Sequence, residues 1–471
     1  MQRWALAAVA LVGAGVAEAQ APPVIVPPDR ISQDELDFQG RASLFVGSGA
    51  RALGMGGAFL ARADDATAAT WNPAGLSYLR LPEVSAVGVR NTFEGKVREG
   101  SVLPERDRLT SGTSPDFLAL AYPVHFGNAS GAVQLSFQRV IPYNGSRTIE
   151  RAAPPLCTPR PCPDRELILE SEGGFDVIAL GTGLQVTRGL RVGATLNRWG
   201  NGYRQHTERQ VRRRGTNDVD FQFSGFNLNL GVIWSPFESL NVGAVGKTPF
   251  TGDVIMSKSR TDLAIDLADA PPDTPPDAVT SNSYASGNIT VHIPGAFGVG
   301  VSWRPKSTLT VSADYTRTFW SKGKIYNFFT LPPGAFSGTG PVPTAPDDVF
   351  PVLPYPTLDL TRTQADSDQF RAGLEYVVLF KHFKWPLRAG YFNDGQFFRT
   401  ADGSAPRFNG ASVGTGIVVG PVLLDVAYNI ESGTYSDSII DTTTSEVTLQ
   451  EKSRTFHRFF FSIIYRHGAR P

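Results

Sequence analysis

Alternation of apolar and polar side chains with a period of two residues constrains this chain more than any other feature. About fourteen segments between residue 82 and the C-terminus show this alternation. In one of them Leu309, Val311, Ala313 and Tyr315 alternate with threonine, serine and aspartate. Because successive residues of a strand point to opposite faces of a sheet, each segment is predicted to be a strand with one apolar and one polar face.

The connections between these segments alternate strictly between short and long. The segments lie near residues 82–93, 114–124, 129–141, 173–187, 190–200, 219–235, 240–251, 287–303, 308–320, 367–380, 385–393, 406–419, 422–431 and 454–466. An up-and-down sheet with tight turns at one end and large loops at the other produces this order. Bacterial outer-membrane barrels have this form, and their closure leaves no sheet edge unpaired in lipid.

The predicted fold is therefore all-β: a transmembrane antiparallel β-barrel of about 14 strands over residues 82–471. A soluble sandwich or propeller in the periplasm is the alternative. Such a fold would bury the apolar face in a core, and it gives no reason for loop lengths to alternate.

The N-terminus has the features of a secretory signal peptide over residues 1–19. A basic start is followed by an apolar run, Trp4–Val16, and by the cleavage pattern Ala17-Glu18-Ala19. The apolar run is too short to span a bilayer as a helix. Export to an oxidising compartment also suits Cys157 and Cys162, whose spacing predicts a short disulfide loop. We therefore expect an exported protein of the bacterial outer membrane.

Composition and motif searches favour a protein that is not an enzyme. The 44 basic and 44 acidic residues give a formal net charge of zero, which removes the electrostatic attraction to nucleic acid. The six histidines are scattered, and we expect neither a metal nor a cofactor. Gly410–Gly414 matches the nucleophile-elbow pattern around Ser412, but it falls inside a predicted strand rather than at a strand-to-helix turn. An outer-membrane hydrolase is thus the weaker alternative.

Residues 36–81, which follow an N-terminal extension over residues 20–35, are rich in glycine and alanine and do not read as strands. Ala63–Ala68 (Ala-Asp-Asp-Ala-Thr-Ala) and Trp71–Leu76 (Trp-Asn-Pro-Ala-Gly-Leu) resemble the N-terminal hatch of the FadL/TodX family of outer-membrane transporters for hydrophobic compounds. The segment also resembles the opening of PorV-like barrels, which act as partners or shuttles in protein secretion.

The FadL/TodX resemblance implies a 14-stranded barrel whose lumen is plugged by residues 36–81. It implies passive uptake of long-chain fatty acids or other hydrophobic small molecules, with capture among the external loops and sideways release through a kinked wall. The hatch motif carries over to Asn72, Pro73, Ala74 and Gly75. The last strand resembles the signal read by the barrel assembly machinery, so that machinery and outer-membrane lipid are expected partners of a monomer.

Two sets of residues are candidates for the ligand site. Apolar side chains of the hatch are anomalous in a watery lumen, although they could simply pack the plug: Leu44, Phe45, Met55, Phe59, Leu60, Trp71 and Leu76. Trp199 and Phe460 likewise fall on polar strand faces. Arginines on the polar faces could bind a carboxylate ligand, or they could pair with Asp314, Glu375 and Asp425 in an interior network: Arg191, Arg371 and Arg458.

Overall fold

The computed structural model describes residues 47–97, 105–126, 129–142, 145–151, 165–210, 213–265, 280–322, 324–325, 365–397, 399–400, 403–440 and 447–468. The expected signal peptide, the N-terminal extension, Leu44, Phe45 and both cysteines lie outside these residues.

Residues 47–81, called the hatch from here on, form short helical turns joined by tight bends. The turns are α1 (Ala50–Gly54), α2 (Ala68–Trp71) and the 3-10 helix η1 (Pro73–Tyr78). Asn72 caps η1, because its side chain accepts a hydrogen bond from the backbone N–H of Ala74 at 3.1 Å. Pro73 follows at the first helical position, where its missing N–H costs nothing. These residues therefore favour a compact segment without strands.

Nineteen strand segments follow in the described part of the chain. They are β1 (Glu83–Val97), β2 (Glu105–Phe126), β3 (Ala129–Pro142), β4 (Gly145–Arg151), β5 (Arg165–Gln185), β6 (Leu190–Gly200), β7 (Gly202–Gln210), β8 (Arg213–Phe237), β9 (Leu240–Lys247), β10 (Phe250–Ile265), β11 (Thr280–Ile293), β12 (Ala296–Lys306), β13 (Leu309–Thr318), β14 (Lys324–Ile325), β15 (Ser367–Leu379), β16 (Lys384–Gly395), β17 (Arg407–Val419), β18 (Val422–Ile440) and β19 (Val447–Arg466). A 3-10 turn, η2 (Trp320–Lys322), lies between β13 and β14.

These segments make a closed antiparallel barrel of 14 strands, as predicted. Five barrel strands each consist of two successive segments: β3 with β4, β6 with β7, β9 with β10, β11 with β12, and β13 with β14. The first and last strands close the barrel, from Glu83 opposite Arg466 to Val97 opposite Lys452. Glu83 accepts hydrogen bonds from Arg466 at 2.6 Å and from the backbone N–H of Ala66 at 3.0 Å, so the seam also contacts the hatch.

The two faces of the wall differ as the alternation requires. On β8, the outward residues Phe226, Leu230 and Trp234 are 60%, 50% and 53% exposed, whereas the inward residues Asn227 and Asn229 are buried. The same contrast recurs around the barrel, and an outward apolar band of this kind is typical of the lipid-facing surface of membrane barrels. Among the described residues, no helix has the length and apolar composition needed to cross a membrane.

Several strands are longer than the alternation predicted. Long polar connections were expected over residues 94–113, 142–172, 201–218, 252–286 and 432–453, yet β2, β5, β7, β10, β18 and β19 extend into them. Beyond the apolar band both faces of a strand meet water, so the period-two signal disappears although the backbone pairing continues. The sequence pattern therefore marks the apolar band rather than the whole strand.

Candidate ligand site in the barrel lumen

The hatch lies inside the barrel and packs its apolar side chains against the wall. Met55, Phe59, Leu60, Trp71 and Leu76 are at most 3% exposed. The rings of Phe59 and Trp71 meet edge to face at 6.1 Å, and the Trp71 indole donates to the backbone oxygen of Ser48 at 2.8 Å. These contacts hold the hatch together, and the role of the five side chains as ligand contacts stays a prediction.

Asn72 attaches the hatch to two neighbouring strands of the wall. Its side-chain nitrogen lies 2.9 Å from the backbone oxygen of Leu60, 3.1 Å from that of Val232 and 3.4 Å from that of Ala244. Because a buried amide left without partners is costly, this one side chain fixes both the internal fold of the hatch and its position against β8 and β9. The resemblance identified the residue, and the structure supplies its contacts.

An ion-pair network attaches the hatch to the wall at β15 and continues within the wall to β16 and β18. Arg51 contacts Asp64 at 2.7 Å and Glu375 of β15 at 3.1 Å. Glu375 also accepts from Arg388 at 2.8 Å, and Arg388 contacts Asp425 at 2.7 Å. All five groups are largely shielded from water, where removing one partner leaves an uncompensated charge.

The electrostatics of the two hatch arginines differ. Burial lowers the pKa of Arg51, but the charges of Glu375 and Asp65 outweigh burial and raise it above its ordinary range. Burial and the positive charge of Arg51 lower the pKa of Arg62 to about 9, so this guanidinium still carries its charge at neutral pH. Both arginines are thus cationic where they meet Glu375, whose carboxylate is their shared partner in the wall.

Glycines on the inner face of the wall let the hatch backbone approach closely. A Cβ atom on Gly243 would lie 2.6 Å from the backbone oxygen of Leu60, and one on Gly183 would lie 2.6 Å from that of Pro73. Any larger residue at these positions would push the hatch away from the wall. Ser412 of β17 makes a similarly close contact, because its hydroxyl accepts from the N–H of Gly56 at 2.8 Å and donates to the oxygen of Gly54 at 3.1 Å.

A cavity lies in the lumen directly against the hatch, which it touches at Ala69 and Thr70 of α2. Its apolar side is aromatic: the Trp199 and Phe250 rings stack at 5.4 Å, and Trp199 meets Phe223 edge to face at 5.9 Å. Further buried apolar residues extend this cluster along the inner face: Phe175, Val177, Phe221 and Ile293. Side chains of this kind are anomalous on the inner face of a barrel, where polar residues are the rule.

The other side of the cavity is polar. Asn227 accepts from the Trp199 indole at 2.8 Å and donates to Asn229 at 3.1 Å. Asn197, Ser136 and the half-buried Lys247 also line this side. A molecule held here would meet aromatic rings on one side and amides, a hydroxyl and an ammonium on the other. The cavity volume is about 50 Å³, whereas a benzene-binding cavity has about 150 Å³, so a ring can enter only if lining side chains move.

The wall beside this cavity is interrupted. Strand pairing runs up to Lys247 opposite Ala296 and resumes at Phe250 opposite Ile293 in the same register. Between these pairs Thr248 and Pro249 face Pro294 and Gly295, and neither proline has an N–H to donate. Thr248 and Pro294 also line the cavity. The cavity thus borders a place where two adjacent strands are not held by ladder hydrogen bonds.

The three arginines proposed as carboxylate ligands lie in different surroundings. Arg371 donates to the backbone oxygen of Gly56 at 2.9 Å and pairs with Asp394 at 2.5 Å. Arg458 pairs with Glu431 at 2.8 Å. Arg191 stacks on the Tyr78 ring at 4.1 Å. None of these three arginines lines the cavity. The interior ion pairs also use partners other than those expected. Asp314, for example, accepts from the N–H groups of Phe59 and Leu60.

Sequence reasoning placed Trp199 and Phe460 on the inner face, and both are buried there. It missed Asn227, Lys247 and Phe250. Phe250 and Lys247 belong to neighbouring strand segments that meet at Thr248-Pro249, where the alternation changes phase. A proline inside an alternating segment is the signal that could have drawn attention to this part of the wall.

Solved structures of a FadL homologue and of two toluene transporters share this architecture. A FadL homologue from Pseudomonas aeruginosa aligns over 89% of this chain and 98% of its own, with 12% identity and a TM-score of 0.53. The toluene transporter TbuX from Ralstonia pickettii aligns over 90% and 99%, with 16% identity and a TM-score of 0.51. The toluene transporter TodX from Pseudomonas putida aligns over 90% and 100%, with 14% identity and a TM-score of 0.53.

Comparisons with protein-family models and with curated proteins found no match. The structural likeness extends over most of the chain and defines the class by its fold: a closed 14-stranded membrane-type barrel. The chain has the fold of the FadL and TodX transporters.

Proposed function

We propose that this protein is a transporter of the bacterial outer membrane that takes up hydrophobic small molecules by passive diffusion. The observation that carries the proposal is the aromatic cluster around Trp199 on the inner face, next to the hatch. A water-filled pore gives an apolar solute no favourable environment, whereas an apolar internal site removes its surface from water. The outward apolar band and the fold shared with known transporters support the proposed location in the outer membrane.

The hatch is proposed to close the direct route to the periplasm. Asn72 and the lumenal glycines attach one side of it to the wall, and the Arg51–Glu375 pair attaches the other. A molecule in the cavity would have to break these contacts to pass straight through. The unpaired stretch at Pro249 and Pro294 requires fewer contacts to open, so we assign sideways release to this part of the wall.

The cavity lining supports a class of ligand with an apolar body and a small polar end. Aromatic rings would contact the body, and Asn227 or Lys247 would contact a hydroxyl or carboxylate. Long-chain fatty acids and monoaromatic compounds both meet this description. The transport requires no cofactor and no reaction catalysed by the protein.

Uptake by cells that carry the protein tests this function. We expect saturable uptake of radiolabelled toluene or oleate, and no comparable uptake of a sugar of similar size. Ser136→Phe places a ring in the cavity and should reduce uptake at least tenfold, while Leu135→Phe, on the outward face of the same strand, should leave it unchanged. Uptake equal to that of cells without the protein would refute the proposal. Absence of ligand binding together with copurifying secreted proteins would favour a secretion partner instead.

A further inference from the structure

We propose that the outer wall carries a binding site for a phosphorylated lipid of the outer leaflet, in a groove on β12, β13, β15 and β16. The site is separate from the lumenal cavity, but it rests on the proposed membrane location. The groove has a volume of about 520 Å³, and its outward lining is apolar: Val299, Val301, Ala313, Phe370, Ala372 and Tyr391.

The register explains why a groove forms here. Val301, Ala313, Ala372 and Tyr391 stand side by side on consecutive strands, so two alanines lie between two larger residues. The next outward row toward the long loops contains Val299, Tyr315 and Phe370, which form the walls of the groove at that end. On β19, by contrast, alternate outward positions all carry large side chains: Phe459, Phe461, Ile463 and Tyr465. The depression therefore follows from two small residues at adjacent register positions.

Basic side chains border the groove on the side of the long loops. Arg317 stands one row above Tyr315, next to Asp368, and contacts Asp368 at 3.2 Å and Asp366 at 3.0 Å. Lys322 lies on the same Phe319 ring as Arg317, at 5.2 Å and 5.9 Å from its centre respectively.

Arg407 is the third cation of this border. Its guanidinium lies 5.5 Å from the centre of the Phe370 ring in the groove wall and donates to the backbone oxygen of Asp368 at 3.0 Å. Both Lys322 and Arg407 are exposed. Arg317 is paired with Asp366 and Asp368, so Lys322 and Arg407 add positive charge to this border beyond the two carboxylates that it contains.

This combination fits one occupant better than others. An acyl chain fills a narrow apolar groove on a lipid-facing wall, and a phosphate at its upper end would contact Lys322 and Arg407 through charge-assisted hydrogen bonds. A lipid without a phosphate would fill the groove without using the basic border. A second copy of the barrel could occupy the groove only if it placed an anionic surface opposite the basic border.

Native mass spectrometry of the full chain in detergent tests the site, with bisphosphorylated lipid A and its dephosphorylated form as probes. We expect one tightly bound lipid A and at least tenfold weaker binding of the dephosphorylated form. The double variant Lys322→Gln/Arg407→Gln should weaken lipid A binding at least tenfold, and Ala313→Leu/Ala372→Leu should do the same by filling the groove. The matched control Ala86→Leu/Arg90→Gln changes an outward alanine and arginine on β1, elsewhere on the wall, and should bind as the parent does.

Equal binding of the two lipids would overturn the proposal, and so would equal lipid A binding by the parent and the groove variants. A dimer that forms without lipid and is lost in the groove variants would also overturn it. Uptake of toluene or oleate should be retained in these variants. Absence of uptake by the parent protein, with its lipid A binding intact, would count against the transport function and leave the lipid site standing.

Discussion

Arg51 of the hatch and Glu375 of the wall form a two-point ion pair, with Nε–Oε2 at 3.1 Å and Nη2–Oε1 at 3.2 Å. Planar pairing of this kind fixes orientation as well as distance. The residues are far apart in the chain, so the pair connects the hatch directly to the far half of the barrel. Arg388 continues the connection to Asp425 on β18.

Replacing Glu375 with Gln should loosen this side of the hatch without unfolding the barrel. The change leaves Arg51 and Arg388 without their shared anion, and breaking a buried pair typically costs about 3–5 kcal/mol. Amide hydrogen exchange over residues 50–66 should therefore accelerate by at least two orders of magnitude, while the outward strands keep their protection. Glu94→Gln removes an exposed partner of Lys96 and should have no such effect. Unchanged exchange in Glu375→Gln would show that the pair does not hold the hatch.

Asn72→Ala should impair transport while the barrel still assembles. The variant removes the contacts to Leu60, Val232 and Ala244 and takes the amide donor from the buried carbonyl of Leu60, at about 1–3 kcal/mol. Heat-modifiable migration on gels reports barrel assembly, and ligand uptake reports function. Ser77→Ala is the control, because its hydroxyl bonds only to Ala74 within η1. Normal uptake by Asn72→Ala would remove the role assigned to the hatch motif.

A disulfide across the interrupted wall should block release. In a background with Cys157 and Cys162 replaced by Ser, Thr248→Cys/Gly295→Cys joins the two strands at the unpaired stretch. Uptake should fall at least tenfold after oxidation and recover with reductant. Val242→Cys/Val301→Cys joins neighbouring strands where pairing is already complete, and oxidation there should not matter. Equal uptake by the oxidised and reduced forms of the first variant would place the exit elsewhere.

Trp199→Ala should weaken the binding of single-ring aromatics. An aromatic pair contributes about 0.5–1.5 kcal/mol beyond area burial, so titration calorimetry with toluene should show about a threefold to tenfold lower affinity. Trp234→Ala, on the lipid-facing side of β8, is the matched control and should bind toluene as the parent does. Equal affinity in Trp199→Ala would place the ligand outside the aromatic cluster.

The barrel could be predicted from the sequence because one feature, the different solvents on its two faces, acts on every strand. The position of Trp199 on the inner face follows from the same alternation. The lumenal site could not be predicted from the sequence, because it depends on which residues of different strands lie at the same level of the barrel. Lys247, Asn227 and Phe250 come together through the barrel register, which alternation leaves open.

The attachment of the hatch was predictable in part. The Asn72 motif is local and could be identified by resemblance, whereas Glu375 and Arg388 meet Arg51 only after the barrel closes. Gly183 and Gly243 carry a local signal of this attachment: each is a glycine at an inward position within a regular strand, where close approach of another backbone explains the missing side chain.

X-ray diffraction from crystals soaked with bromobenzene tests the central claim most directly, because bromine scatters anomalously and marks the ligand without ambiguity. The account predicts an anomalous peak inside the barrel between the rings of Trp199 and Phe250 and the amide of Asn227, with those rings displaced from their stacked positions. Bromine found only on the outer wall or among the loops, at concentrations that saturate uptake, would contradict it.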